Sequence, residues 1–292
     1  MATDYAGLVP RGVAQNFLDL IEVQSVALRL GNVMRMSEAT EVLPIASFLP
    51  QVGFTTTRYG GRKPATKIEW SAQNLIPEEI AATIPIPENW IRDAGFDVWG
   101  SVRTALLTSL AIVLDRAILF GDGEPPNYPP NGVAGPPPAP LTGADALAAI
   151  DAGLAAVEES GLVPNGIASS PKINSALRQE FRTIAVPPTE APPSGIYGLP
   201  VATTPAWDST KGDAIVGDWT RLAIGVREDI SFRTTDTGVL QDGAGAIVAN
   251  MFQDNLVALK VWMKVAVAIG VPLKADGSGP SVPFQAVDWT AP

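Results

Sequence analysis

One long segment, residues 86–120, limits the folds open to this chain more than any other feature of the sequence. Prolines and an acid at its start, Pro85 to Glu88, are typical of a helix N-terminus, and Gly121-Asp122-Gly123 ends the pattern. Apolar residues recur between these limits at helical steps: Trp99, Val102, Leu106, Leu110, Val113, Ala117 and Phe120. The pattern predicts a soluble helix of up to about 33 residues, or about 50 Å, with no run long enough to span a bilayer. Such a helix needs an equally long partner.

Residues 256–271 offer that partner. Alternate positions are apolar along the whole segment, at Leu259, Val261, Met263, Val265, Val267 and Ile269. Lys260, Trp262 and Lys264 take the other side. The alternation predicts a strand, which at about 3.3 Å per residue covers about 50 Å. We therefore expect the strand to pack along the helix.

The composition argues against most enzymes and against general binding of nucleic acid. The 292 residues are 46% hydrophobic and 17% charged, which allows a well-buried core, but they include no Cys and no His. The commonest nucleophile, metal ligands and general base are therefore missing together. A net charge of -10 disfavours binding to nucleic acid or an anionic membrane. We expect no catalytic site, no metal site and no cofactor.

The N-terminal residues 8–36 mix two patterns. Val13 and Phe17, followed by Leu20 or Ile21, have helical spacing, whereas Val26, Leu28 and Leu30 alternate as in a strand. We interpret them as a short helix that continues into an extended arm, docked on its own domain or on another subunit. Residues 1–10 contain Asp4 and no apolar core, which predicts no secretory signal.

Residues 52–70 predict a long β-hairpin. Threonines and aromatics flank a Gly60-Gly61 turn, and Arg58, Tyr59, Arg62 and Lys63 form the tip. An isolated two-stranded hairpin is marginal in water, so this one either projects onto a neighbour or presents its charges to solvent.

The middle of the chain predicts a separate α/β subdomain. It follows a Pro- and Gly-rich linker, residues 121–140, and begins with a helix capped by Thr142 or Asp145. A buried strand at 166–169 and a helix started by Ser170-Pro171 follow. Further strands cover 215–216, 222–226 and 230–232, with tight turns predicted at 217–218 and 228–229. Residues 243–246 are read as a turn, because no lysine and no helix follow as in a nucleotide-binding loop.

In this order the motifs resemble the major capsid proteins of tailed double-stranded DNA bacteriophages, whose fold encapsulin shells share. The resemblance covers nearly the whole chain. It rests on Ser25-Val26, Ile68-Glu69-Trp70, Asp115-Arg116-Ala117, Phe120-Gly121-Asp122-Gly123, Asn131-Gly132-Val133, Gly198-Leu199-Pro200-Val201, Gly217-Asp218-Trp219 and the final alternating strand that ends at Pro272.

The resemblance implies an α+β fold. Its parts map onto an N-terminal arm at 1–50, an extended β-hairpin loop at 51–84, a peripheral domain at 85–135 and 243–292 with the spine helix and the return strand, and an inserted axial domain at 136–242. Such subunits assemble in the bacterial cytoplasm into hexamers and pentamers of an icosahedral virion shell, which encloses double-stranded DNA without reading its sequence and contacts no membrane. Portal, decoration and separate scaffolding proteins are the further expected partners. We predict that the loop residues Arg58, Tyr59, Arg62, Lys63 and Lys67 form the assembly interface.

Two alternatives to a capsid protein follow from the same residues, and one family feature is also tested against them. An encapsulin-type compartment has this fold but holds a cargo enzyme. A hydrolase would use a carboxylate pair, Glu158-Glu159 or Glu228-Asp229, although adjacent acids usually mark a solvated helix end or turn. Some relatives join a loop lysine to an asparagine near a glutamate. Lys63 or Lys67 and Asn250 or Asn255 have suitable positions, but no glutamate follows Glu228, so we expect no cross-link.

Overall fold

The computed structural model describes residues 25–46, 70–93, 98–123, 125–135, 141–143, 145–183, 195–272 and 279–289. The described helices are α1 (Val26–Leu30), α2 (Glu88–Asp93), α3 (Val98–Phe120), α4 (Ala146–Glu159) and α5 (Pro171–Thr183). The described strands are β1 (Asn32–Arg35), β2 (Glu41–Ala46), β3 (Trp70–Leu75), β4 (Glu78–Pro87), β5 (Leu141–Thr142), β6 (Gly166–Ser169), β7 (Gly195–Ile196), β8 (Leu199–Thr203), β9 (Ala214–Gly217), β10 (Leu222–Thr235), β11 (Val239–Gln241), β12 (Ile247–Asn250), β13 (Leu256–Ile269) and β14 (Phe284–Asp288).

A four-stranded sheet, in the order β1-β10-β13-β4, packs one face against α3. The predicted long strand is confirmed as β13, which has 14 residues and is antiparallel to both neighbours. Its alternate residues Leu259, Val261 and Met263 lie in the same buried cluster as Leu106 and Leu110 of α3. The predicted packing of this strand along the helix is therefore confirmed.

The predicted helix over 86–120 is only partly right. Ile86 and Pro87 belong to β4, where they pair with Val257 and Leu256. The helical residues before the gap at 94–97 form the short helix α2. Helix α3 has 23 residues, which gives a length of about 34 Å at 1.5 Å per residue. Most of the predicted apolar positions of α3 are buried, but Val113 is 51% exposed. Strand pairing explains the error at the start, because β4 alternates half-buried and exposed residues and pairs with β13 as far as Pro87.

The second large sheet has six strands in the order β5-β14-β9-β6-β8-β7, and α4 and α5 pack with it in a second core. Asp145 is the N-cap of α4 and accepts a hydrogen bond from the Ala148 N–H at 2.7 Å. The strand predicted at 166–169 is β6, and α5 begins at Pro171 as predicted. Strand β14 reaches this sheet from the far end of the chain and pairs with β9 and β5.

Two local predictions are wrong. Val26, Leu28 and Leu30 lie in the short helix α1, not in a strand, because Ser25 caps it by accepting a hydrogen bond from the Leu28 N–H. Residues 228–229 form no turn, because β10 runs unbroken from Leu222 to Thr235. Its register against β13 shifts between Val226 and Ser231, so a bulge accommodates the polar residues there.

Candidate assembly surfaces

The resemblance motifs at the end of α3 form a tight junction with α1. Asp115 is buried and accepts hydrogen bonds from the Ser25 hydroxyl at 2.6 Å and from the Val26 and Ala27 N–H groups, both at 3.1 Å. Burial raises the pKa of Asp115, and the hydrogen bonds from Ser25, Ala27 and Val26 oppose that rise. The carboxyl group thus holds the start of α1 on the long helix.

A second junction lies at the C-terminal end of α3. Gly121 has a φ of 72° and Gly132 a φ of 62°, which a residue with a side chain adopts only with strain. The Val133 and Ala134 N–H groups donate to the carbonyl oxygens of Ile118 and Leu119 at 2.9 and 2.8 Å. The turn at 131–134 therefore satisfies carbonyl groups that the helix end leaves free. The Lys211 ammonium donates to the Phe120 carbonyl oxygen, which places a positive charge at the negative end of α3.

The Gly217-Asp218-Trp219 motif lies where the chain passes from the six-stranded sheet to the four-stranded sheet. The Trp219 side chain is fully buried, and its indole N–H donates to the Gly166 carbonyl oxygen at 2.9 Å. The ring packs edge-on against Phe284 at 5.2 Å between centroids. Asp218 caps the following 3-10 turn by accepting from the Thr220 N–H at 3.2 Å. The motif therefore ties the two sheets together.

The hairpin β11–β12 and the following turn, residues 239–255, expose four apolar side chains; we call this segment the hairpin surface. Its exposed members are Val239, Ile247, Val248 and Phe252, and Phe252 is 82% exposed. The predicted turn at 243–246 is confirmed, since the Asp242 carboxylate accepts from the Ala244 and Ala246 N–H groups at 3.0 and 2.8 Å. Residues 234–259 contain three aspartates and no Lys or Arg, so the surface is apolar with an acidic border. Exposed apolar side chains of this size make the hairpin surface a candidate contact site.

Comparison with known proteins decides the family. The model of the phage capsid family matches residues 6–273. The chain belongs to the phage capsid family. It is a phage major capsid protein, a structural component of the virion that self-assembles into the viral shell, and not an enzyme.

Solved structures have the same fold as this capsid protein. A chain from Microbacterium phage Oxtober96 is 26% identical with a TM-score of 0.74, and the match covers 91% of each chain. A chain from Mycobacterium phage Adephagia is 22% identical with a TM-score of 0.73, over 100% of this chain and 98% of that one. The capsid of a native GTA particle, computed with C5 symmetry, is 14% identical with a TM-score of 0.60, over 91% of each chain. A search of curated proteins gives no significant match.

The predicted loop interface of the capsid protein lies outside the described residues. Arg58, Tyr59, Arg62, Lys63 and Lys67 all fall in the gap at 47–69, and only Trp70 of the predicted hairpin is described, at the start of β3. β3 pairs antiparallel with β2, with Ala46 opposite Trp70. Ala46 and Trp70, the described residues on either side of the gap, are therefore neighbours in one two-stranded sheet.

Two contacts of the candidate asparagines bear on the cross-link prediction. Although no glutamate follows Glu228 in the sequence, Glu88 lies next to Asn255, because the Glu88 N–H donates to the Asn255 carbonyl oxygen at 3.0 Å. Asn250 is engaged within its own turn, where its side-chain oxygen accepts from the Gln253 N–H at 3.3 Å. Glu88 and Asn255 are therefore neighbours through their backbones, and the absence of cross-links stays a prediction.

The carboxylate pairs considered for a hydrolase do not form a site. Glu228 accepts from the Trp262 indole at 2.8 Å and pairs with Lys264 at 3.4 Å, whereas Asp229 pairs with Arg35 at 3.5 Å. The hydrogen bond from Trp262 and the Lys264 charge lower the pKa of Glu228, which suits an ion-pair partner and not a general acid. Glu158 and Glu159 are exposed at the end of α4.

Two further searches concern the described residues only. Within the described ranges, no group of three or more Asp, Glu, His or Cys side chains is arranged to hold a metal ion. No helix in the described part of the chain is both long and apolar enough to cross a membrane.

Proposed function

We propose that this capsid protein assembles in the bacterial cytoplasm through hexamers and pentamers into an icosahedral shell around double-stranded DNA. The match to the phage capsid family over residues 6–273 carries the proposal. The five-fold symmetry of the GTA capsid, whose subunit has the same fold, supports the pentamers. The net charge of -10 agrees with a shell that encloses DNA without binding it tightly. Portal, scaffolding and decoration proteins complete the proposed set of partners.

The two large sheets support a division into a peripheral and an axial domain. We assign α3 and the four-stranded sheet to the peripheral domain, and α4, α5 and the six-stranded sheet to the axial domain. Two strands do not follow the predicted domain boundary between residues 242 and 243. Strand β10 lies in the peripheral sheet although its residues fall within 136–242, and β14 lies in the axial sheet although it falls within 243–292.

The subunits contact one another through the extended loop and the hairpin surface. A two-stranded sheet is marginally stable alone and gains stability when a neighbour covers it. Burying one large apolar side chain contributes about 1.5–3 kcal/mol, so covering Phe252 favours association by about tenfold or more per contact. The shell repeats each contact in every subunit, so small contributions add up over the whole particle.

Electron microscopy of the purified full-length chain tests the proposal. We expect capsomers, closed shells or tubes, and a strictly monomeric protein at every concentration would contradict it. Particles isolated from infected cells should contain DNA, seen as high absorbance at 260 nm relative to 280 nm. Particles that instead hold one cargo enzyme and no DNA would favour the encapsulin-type alternative.

A pair of matched variants tests the hairpin surface. Phe252→Ser should raise the protein concentration needed for assembly by about tenfold or more, because each contact loses a buried aromatic ring. Val163→Ser is the control, since Val163 is 79% exposed and lies in the connection after α4, away from the hairpin. Both substitutions are at exposed positions and should change the free energy of unfolding by less than about 0.5 kcal/mol. Equal assembly of the Phe252→Ser variant and the wild type would remove the hairpin surface from the proposal.

A further inference from the structure

No element in the described part of the chain covers one face of α3 along three turns. Seven uncharged residues on this part of the face are exposed or half-buried: Ser101, Thr104, Ala105, Thr108, Ser109, Ile112 and Val113. Arg116, on the next turn, is also exposed and pairs with Asp122 at 2.7 Å. The Thr104 hydroxyl donates to the Gly100 carbonyl oxygen at 3.0 Å, Thr108 donates to Thr104 at 3.1 Å, and Ser109 donates to Ala105 at 2.9 Å. Because these three hydroxyl groups bond within the helix, and because Ile112 and Val113 follow them, this part of the face suits an apolar partner.

The same face is covered at its end by the chain's own N-terminal part. Thr104, Thr108 and Asp115 follow one another at steps of four and seven, which places the three residues on one side of the helix. Thr104 and Thr108 are exposed, whereas Asp115 is only 1% exposed. The cover is α1, whose cap residue Ser25 donates to Asp115 at 2.6 Å. The described chain therefore begins at one edge of this face, about one turn beyond Ile112.

The residues just before Ser25 have the pattern that the uncovered face requires. Val13, Phe17 and Leu20 or Ile21 predict an amphipathic helix, and Asp19 and Glu22 occupy other positions. A helix from 13 to 21 is about 12 Å long, as is the face from Thr104 to Ile112. Residues 22–24 then join the helix to Ser25, and this connection spans at most about 14 Å from Ile21.

We propose that residues 13–21 form a helix that packs its apolar side on the uncovered face of α3 of the same subunit. The two helices run in the same direction, with Val13 near Thr104, Phe17 near Thr108 and Ile21 near Ile112. Small side chains around Thr108 let the aromatic ring of Phe17 approach closely, and the two isoleucines form an apolar pair. The proposal concerns one subunit and does not depend on the geometry of the shell.

Engineered cysteine pairs test the proposal directly, because the chain contains no Cys. In the full-length Ile21→Cys/Ile112→Cys variant, mild oxidation should remove both free thiols and leave a monomer on a non-reducing denaturing gel. A disulfide joins Cα atoms about 4.4–6.8 Å apart, so it reports the predicted register. Ile21→Cys/Val163→Cys is the control and should keep its thiols. A covalent dimer of the first variant would assign the face to a second copy, and free thiols would show that the face stays uncovered; either result overturns the proposal.

A second measurement avoids disulfide geometry. Trypsin can cut after Arg11, next to the proposed helix, and packing of that helix slows the cut. Thr108→Glu places a charge under Phe17 and should speed cleavage after Arg11 by about tenfold or more, which corresponds to about 1.4 kcal/mol. Thr237→Glu is the control at an exposed position outside α3 and should cleave like the wild type. Equal cleavage of the Thr108→Glu variant and the wild type overturns the proposal, whatever the disulfide experiment shows.

Discussion

At the scale of single residues, the junctions at the end of α3 depend on groups that have few substitutes. Asp115 is the acceptor for three donors of the N-terminal part, the Ser25 hydroxyl and the Val26 and Ala27 N–H groups. Each buried donor left without an acceptor costs about 1–3 kcal/mol, so the junction is sensitive to the loss of one side chain. The sequence pointed to Ser25 and Asp115 through the resemblance, but only the structure shows that they bond to each other.

Asp115→Ala should therefore lower the free energy of unfolding by at least about 2 kcal/mol, because the substitution leaves α1 without its acceptor. Urea unfolding of the full-length chain, followed by circular dichroism, measures the difference. Asp122→Ala is the matched control on the same helix end. The Asp122 carboxylate pairs with the half-exposed Arg116 at 2.7 Å, and an exposed pair contributes less than about 1 kcal/mol. Similar losses for the two variants would show that Asp115 is no special anchor.

Gly132→Ala should destabilise the protein by about 2 kcal/mol or more, since the substitution combines backbone strain with a steric clash. The Gly132 backbone has a φ of 62°, and an added Cβ would lie 2.5 Å from the Ile118 carbonyl oxygen and 2.7 Å from the Gly121 nitrogen. Gly123→Ala is the control, since Gly123 has a φ of 81° but nothing within 4 Å of the added carbon, so only about 1–2 kcal/mol of backbone strain applies. The thermal midpoints of both variants separate the steric contact from the strain. Equal thermal midpoints of the two variants would mean that the backbone at the helix end shifts to accommodate the added methyl group.

At the scale of elements, the regular segments could be predicted and their limits could not. Strand β13 was predictable because it alternates over 14 residues, a period that no helix shares. The start of α3 was misplaced because the partner of Ile86 is Val257, and a pairing across so long a stretch of chain leaves no local trace. Acidic residues such as Glu228 and Asp229 usually signal a turn, but a bulge and the partners Lys264 and Arg35 keep them inside β10.

The surfaces were harder to predict than the elements. Val113 continues an apolar stripe in the sequence yet is 51% exposed, because no described element packs on that side of α3. The hairpin surface was missed because Ile247 and Val248 look like core residues of a strand, and exposure depends on which face the rest of the chain covers. The one signal available was Phe252, an aromatic residue set among polar ones in a short turn.

At the scale of the whole molecule, the distribution of charge agrees with assembly through two kinds of surface. Residues 52–67 carry Arg58, Arg62, Lys63 and Lys67 and no acid, whereas the border of the hairpin surface carries Asp236, Asp242 and Asp254 and no base. Surfaces of opposite sign steer encounters and fix orientation more than they add affinity. In the proposed contacts, the apolar side chains of the hairpin surface contribute more to the association free energy than these charges.

Reversing the loop charges separates these contributions. The variant Arg58→Glu/Arg62→Glu/Lys63→Glu/Lys67→Glu should lose assembly while keeping the unfolding midpoint of the wild type, because an acidic loop is repelled by neighbours that already have a net charge of -10. Substituting the same four residues with Gln is the control, and it should assemble more weakly than the wild type but better than the reversed variant. Raising the salt concentration to about 1 M shortens the screening length to about 3 Å, so the reversed variant should regain part of its assembly. Light scattering against protein concentration measures all three. If the reversed variant assembles like the wild type at low salt, the four charged loop residues are not part of the interface.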